Sequence, residues 1–445
     1  MIGTESHSTP GASGRDGCDE KCDNDAKGPS DARAQSGHIT AGPLAGVVVI
    51  DLTRVLSGPY ATMLLGDLGA NVIKIEDPKG GDTTRHSAPY KGGQSHYFAA
   101  INRNKQSIAL DLTVPRGREL LLSLVRKADV LIENYRPGVM ARLGLDEATL
   151  RAVNPDVILC SISGFGQTGP LRNRIAYDVI TQAMSGVLST NGDPDGPPVR
   201  LSLPIGDLAG GMMATIGVLG SLFGRGQGRG TRTIDISLHD TLISMLGYMA
   251  TLYDVTGTTP QRTGSRHPSV VPYGTFQTND GWLALAIFTT PFWKKFCDAI
   301  KRPELAEDPR YRLTRDRMTN RAELEAMVEE ILVQRSTAAW EGLFEQADVP
   351  ASAILSVPEA LEHAQTRARN MFPTIVHPRH GSIRVPGLPL RLGGAQAEFP
   401  NPPPSLGENT VAVLRDFLKL DDSEIADLLD EGVVSKNDIS SREAS

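Results

Sequence analysis

Aromatic residues are scarce in this chain, at 5% of 445 residues, and the first 42 positions contain none. A segment without Phe, Trp or Tyr and rich in Gly, Ser, Asp and Lys cannot bury enough apolar area to offset its ordering entropy. Residues 1–42 are therefore expected to form a disordered extension. Cysteine is rarer still, with Cys18, Cys22, Cys160 and Cys297 as the full set. The C-x3-C pair has no second pair to complete a metal site, and no disulfide framework is visible. That usage fits a reducing cytoplasm and predicts no metal. No apolar run approaches the ~18 residues of a membrane span, and the N-terminus lacks an apolar signal core, so neither a span nor a secretory signal is expected. A basic excess is missing too: the net charge of −7 excludes a general nucleic-acid binder. No G-x-G-x-x-G follows the first predicted strand, which disfavours a nicotinamide or flavin site.

What is present is an alternation of strand and helix. Apolar strands are predicted over 46–50, 71–76, 107–112, 130–132, 157–162 and 232–237. Between them fall helices over 59–68, over 115–127 with Thr113 as the cap, from Asp178 to 186, and over 238–253. The segment 77–99 reads as a polar loop. Such an alternation is the signature of an α/β fold with a doubly wound parallel sheet. After 255 the character changes. A Gly-, Thr- and Pro-rich connector leads to two antiparallel strands around Asn279-Asp280-Gly281 and then to helices, with a helix capped by Ser356 near the end. The expected organisation is a large domain over 43–255, a smaller α+β domain over 256–355, a C-terminal segment over 356–435, and a disordered tail over 436–445.

One stretch, 199–223, concentrates the chemistry. Leu201, Leu203 and Ile205 alternate as in a strand, and from Leu208 the apolar residues Met212, Ile216, Leu219 and Phe223 follow helical spacing. Asp207 therefore falls at or beside a helix start, where free backbone N–H groups and the helix dipole should hold its carboxylate ionised. An Asp there is ordinarily only a cap. Gly210 and Gly211 in the first turn weaken a helix, however, and allow a close approach to the backbone.

Several blocks, taken in order, resemble the class III CoA-transferase family, which includes formyl-CoA transferase, carnitine CoA-transferase and an acyl-CoA racemase. They are DLTRVLSGP from Asp51, GANVIKIE from Gly69, NKQS from Asn104 with LDL from Leu110, NYRPG from Asn134, Tyr177-Asp178, Gly206-Asp207 and His267-Pro268. The resemblance implies an interlocked homodimer of chains, each with a Rossmann-like large domain and a small domain, the C-terminal segment returning to the large one. It implies that Asp207 is the catalytic nucleophile, that a CoA thioester is a substrate, and that no cofactor is tightly bound. It places CoA contacts at Leu56 and Ser57, at Leu110, Asp111, Leu112 and Thr113, at Asn134, Tyr135 and Arg136, and at Arg142, with Tyr177 and Asp178 beside the thioester.

The partners so implied are an acyl-CoA, with succinyl-CoA the preferred donor, and a small carboxylic acid, with a dicarboxylic acid the preferred acceptor, and no nucleic acid and no membrane. Two departures from the formyl-CoA transferase pattern, Leu56 for a glutamine and Asp77 for an arginine, argue against formate or oxalate and leave Lys79 or Arg85 to serve instead. Tyr177 stands where racemase members carry a histidine, and a phenol of pKa near 10 suits that proton transfer poorly. The alternatives are an acyl-CoA racemase or epimerase, and a CoA-binding protein without catalysis. His267 is equally readable as structural or as a contact to the acyl group.

Overall fold

The computed structural model describes residues 42–393, 395–396, 399 and 401–436, so the expected tails fall outside it but for Gly42 and Lys436. Six strands, β1 (Val48–Asp51), β2 (Asn71–Glu76), β3 (Lys105–Leu110), β4 (Val130–Glu133), β5 (Ile158–Ser163) and β6 (Thr233–Ser237), are parallel neighbours in the order β3-β2-β1-β4-β5-β6. Successive residues of a strand face opposite sides of the sheet, and β1 shows the consequence. Val49 enters a core with Ala61, Leu65, Ala214 and Val218, while Ile50 enters another with Leu121, Leu124 and Ile425. Helices cover both faces. Strand order reverses between β1 and β4, and in an open parallel sheet ligands bind beyond the carboxyl ends of strands at such a switch point.

Five helices matter below: α1 (Ser57–Asp67), α2 (Pro115–Val125), α3 (Asp178–Met184), α4 (Ile205–Gly226) and α5 (Leu238–Met245). Further on, β7 (Tyr273–Gln277), β8 (Trp282–Ala286) and β9 (Ala351–Ala353) form a separate antiparallel sheet in the order β9-β8-β7. It is backed by helices whose aromatic rings stack, Trp293 on Phe296, Phe296 on Phe344 and Phe344 on Trp340, at 5.8, 5.6 and 5.4 Å. The last strand, β10 (Val434–Ser435), joins the seven-stranded sheet antiparallel to β3. Asn409 and Thr410 accept the β3 backbone N–H groups of Ser107 and Ala109 at 2.9 and 3.1 Å.

Several local expectations are corrected. Leu201 and Leu203 form no strand: both are exposed, and Pro204, which has no N–H to give a ladder, stands at the N-cap of α4 so that Ile205 is already helical. Thr113 does not cap α2. The N-cap is Val114, and the Thr113 hydroxyl turns back to donate to Asp111 Oδ1 at 2.6 Å. The supposed loop 77–99 contains a 3-10 turn, a short ladder and most of a helix over His96–Ile101. On α4 the buried side is not the large apolar one. Ala209, Gly210, Gly211, Ala214, Thr215, Val218 and Ser221 face inward, while Met212, Met213, Ile216 and Phe223 are exposed. Small residues win that side because α4 lies close against α1: a Cβ on Gly211 would stand 2.6 Å from the Ser57 carbonyl oxygen. At 22 residues α4 is also long and apolar enough to cross a membrane by length and composition, contrary to the reading of the sequence, yet it is a helix of this domain, packed on α1, β5 and β6.

Candidate active site

Asp207 lies in the first turn of α4, two residues inside the helix start. The group that satisfies this helix N-terminus belongs to another helix. Asp178, the first residue of α3, is buried and accepts the Gly206 N–H at 2.8 Å and the Asp207 N–H at 3.4 Å on Oδ1. Its Oδ2 accepts from Gln182 Nε2 at 2.6 Å, and Gln182 Oε1 in turn accepts the Leu201 N–H at 3.2 Å. Asp178 therefore does not cap its own helix but locks the turn that carries Asp207. Glycine is required at 206, where a Cβ would meet Asp178 Oδ1 at 2.9 Å. The expectation of an ionised Asp207 is overturned: burial, followed by the negative charge of Asp178, pushes its carboxyl up to about 7.

Leu56 and Ser57 open α1, directly against the next turn of α4. The Ser57 hydroxyl is buried without a hydrogen-bond partner, and a Cβ on Gly210 would lie 3.2 Å from it. The preceding turn is unusual. Val55 has φ +68°, a left-handed backbone that costs a β-branched residue ~1–3 kcal/mol, and its side chain is exposed. Two side chains pin this turn. Asn134 clamps Arg54 from both sides, accepting its N–H at 2.8 Å and donating to its carbonyl at 2.7 Å. Asp82 accepts the Val55 N–H at 3.2 Å.

Beyond β1 and β4 a cavity of about 400 Å³ is lined by Leu110, Asp111, Leu112, Thr113, Tyr135 and Arg136, six of the residues expected to touch CoA. The structure thus brings those six together, places Leu56 and Ser57 at the Asp207 helix, and sets Asn134 between the two groups. Arg142 and Tyr177 are not brought in. Arg142 is exposed at the end of a short helix, and Tyr177 is 70% exposed at the N-cap of α3. Arg85 is not available for phosphate, because Glu76 takes its guanidinium with two bonds of 2.7 and 2.6 Å. Lys79 is exposed. The ring of His267 packs on Tyr273 at 4.8 Å, and its Nδ1 accepts the Ser269 N–H at 3.1 Å.

Sequence reasoning missed two residues. Arg54 lines the cavity, with its guanidinium 5.2 Å from the Tyr135 ring centre. Tyr97 packs, as Leu208 does, against the cluster of Leu56, Met63 and Ile101. Burial pushes its phenol up, and the charges of Asp207, Asp82 and Asp178 act in the same direction. The sequence did carry a signal for the Tyr97 helix, since Ser95 is a good N-cap residue and accepts the Tyr97 and Phe98 N–H groups.

A doubly wound sheet, a cavity at its switch point and a half-buried carboxyl at a helix start define a ligand-binding α/β protein of the Rossmann-like class. The comparisons take the identification further. The sequence profile of CoA-transferase family III matches residues 44–410. The chain is 42% identical to an acetyl-CoA:oxalate CoA-transferase of Acetobacter aceti, over 84% of this chain and 96% of that protein. It is 36% identical to the human succinyl-CoA:glutarate CoA-transferase, over 91% and 93%. Among solved structures, a CaiB/BaiF family protein from Brucella suis superposes with TM-score 0.76 at 35% identity, covering 85% of this chain and all of that one. The chain belongs to CoA-transferase family III and is an enzyme of that class.

Proposed function

We propose that this enzyme moves CoA from an acyl-CoA, with succinyl-CoA the first candidate donor, to a dicarboxylic acid, and that Asp207 is its nucleophile. The observation that carries the reading is the placement of the Asp207 carboxyl: half-buried, in the first turn of a helix, beside the opening of α1 at the sheet's switch point. The relatives support the substrate class, because the oxalate, glutarate and mesaconate CoA-transferases among them all act on dicarboxylic acids. The 42% identical oxalate relative returns oxalate to the set of acceptors to be tried, despite Leu56 and Asp77.

In the proposed sequence the Asp207 carboxylate attacks the thioester carbonyl carbon, the C–S bond breaks, and CoA leaves as thiolate, giving an acyl aspartyl anhydride. The thiolate attacks the aspartyl carbonyl, releasing the donor acid and forming an aspartyl-CoA thioester. The acceptor carboxylate attacks that thioester and expels the thiolate again. Attack of the thiolate on the acceptor carbonyl yields the new acyl-CoA and frees Asp207. Every intermediate is prone to hydrolysis, so partial burial of the carboxyl protects the group transfer. The test is to mix enzyme with acyl-CoA and treat it with hydroxylamine or borohydride. Mass spectrometry should find the peptide around Gly206 modified at Asp207. Modification at another carboxyl would remove Asp207 from this role.

Three further outcomes follow from the geometry. Attack needs the ionised carboxyl, and a carboxyl near pH 7 is increasingly protonated below it. The pre-steady-state rate of enzyme acylation should therefore fall about tenfold per pH unit below 7. Asp178→Asn removes the neighbouring charge and should move that limb to lower pH; an unmoved limb would show that Asp178 does not tune Asp207. Arg136→Ala should raise KM for every acyl-CoA by about tenfold with kcat little changed, and Arg142→Ala should have the smaller effect, because only Arg136 lines the cavity. Finally, Met212, Met213, Ile216 and Phe223 on α4, Val179 and Ile180 on α3, and Tyr248 are large apolar side chains left exposed, as residues of an interaction surface are. We assign this surface to a second copy of the chain, in keeping with the interlocked dimer of the resemblance. Sedimentation over a wide dilution range should show a single dimeric species, and a stable folded monomer would count against it.

A further inference from the structure

We propose that Asp82 is a positioning residue of the transfer reaction: its carboxylate holds the left-handed turn at Val55 that sets Leu56, Ser57 and the start of α1 against α4, one turn beyond Asp207. The inference rests on Asp207 as the attacking group. Asp82 lies on the segment after β2 and is not among the residues that line the cavity. Its carboxylate is fully buried and every bond it makes is accounted for. Oδ1 accepts from the Val55 N–H at 3.2 Å, the Thr84 N–H at 3.0 Å and the Thr84 hydroxyl at 2.9 Å, and Oδ2 accepts from Lys74 Nζ at 3.1 Å.

Lys74, on β2 and equally buried, spends its other bond on the same turn, donating to the Thr53 carbonyl at 2.7 Å. The Asp82 N–H donates to Glu76 Oε2 at 3.0 Å, and Glu76 is paired with Arg85. The other end of the turn is anchored in parallel. Asp51 Oδ1 accepts the Thr53 N–H at 2.8 Å, and its Oδ2 takes Lys105 Nζ at 3.1 Å. Three carboxylates and three cations thus balance around five residues of backbone.

Val55 is exposed, so burial of its side chain does not explain its left-handed backbone. What the turn delivers is the buried, unpartnered Ser57 hydroxyl and the α1 backbone at the Gly210–Gly211 face of α4. A strained conformation that is held by several independent bonds and seats α1 on the helix carrying the attacking carboxyl is the pattern expected of a preorganised site.

The test separates positioning from mere support. Asp82→Asn should lower kcat by about 100-fold with a change in KM for acyl-CoA below about tenfold, because misplacing a reacting group by a fraction of an ångström acts on the chemical step. Val55→Gly alone should leave kcat near normal, since glycine adopts positive φ freely. Combined with Asp82→Asn, it should recover at least about tenfold of the lost kcat, because the turn then needs less holding. A double variant no better than Asp82→Asn overturns the proposal. Should Asp82→Asn not fold, Val55→Pro gives the decision: proline can neither reach φ +68° nor donate to Asp82, and its site is exposed. Unchanged kcat in that variant overturns the proposal as well. Trapping with borohydride distinguishes the two readings. If Asp207 is not the nucleophile, the wild type is unlabelled there; if only the present inference fails, wild type and Asp82→Asn are labelled at Asp207 at the same rate.

Discussion

Asp207→Ala is expected to fold, to bind CoA, and to lose transfer by about 10⁴-fold or more, the size of effect seen when the group that forms the covalent intermediate is removed. The stability of the variants distinguishes this from damage. The Asp207 carboxyl is raised from 3.8 to about 7 in the folded chain, so its favourable contribution is complete below the unfolded value and is lost as pH rises through 7. At pH 8 the wild type therefore holds a partly desolvated charge that an amide would not. Asp207→Asn should then be more stable than wild type at pH 8, by on the order of 1–3 kcal/mol, against which the loss of an acidic residue in a first helical turn weighs about 0.3–1 kcal/mol. Below pH 4 the advantage should vanish. Thermal unfolding at the two pH values measures both numbers. A variant that turns over normally, or one that is less stable at pH 8, would reduce Asp207 to an ordinary helix-terminus carboxylate.

Gly211→Ala is expected to be destabilising by about 3 kcal/mol and to impair transfer with it. The sign is informative, because in an unencumbered helix the same change stabilises by ~1 kcal/mol. Here the added methyl would stand 2.6 Å from the Ser57 carbonyl oxygen and 3.0 Å from the Tyr60 ring. Backbone cannot yield as a side chain can, so α1 must move away from α4 and take Leu56 and Ser57 with it. Gly226→Ala, near the end of the same helix with open space around it, serves as the control and should be neutral or slightly stabilising. Denaturant unfolding of the pair measures the difference. Equal behaviour of the two would mean that the α1–α4 approach is looser than drawn.

Much of the fold was legible in the sequence. A continuous apolar run such as GVVVI over 46–50 reports burial on both sheet faces, so the alternating strands and helices could be read locally. The residues Leu110–Thr113, Tyr135 and Arg136 were assigned to one ligand from the resemblance of their blocks, and they line one cavity. Where local reading failed, the deciding partner was distant. The spacing of Leu208, Met212, Ile216 and Phe223 correctly described one face of a helix but not which face turns inward. Glycine and alanine carry little hydrophobic signal, and their value appears only once α1 lies against them.

By itself, the sequence determined the order of strands and helices, and with the resemblance it singled out Asp207 and the blocks assigned to CoA. These are short-range properties: periodicity, turn residues and contiguous motifs. Only the tertiary structure decided the protonation of Asp207, the role of Asp178 and the buried Asp82–Lys74 pair that holds Val55. A pKa depends on desolvation and on charges brought near by folding, and the capping carboxylate of α4 comes from 28 positions upstream, across a helix. No window of sequence contains both partners, so the chemistry of the site is set by the packing of α1, α3 and α4 against one another.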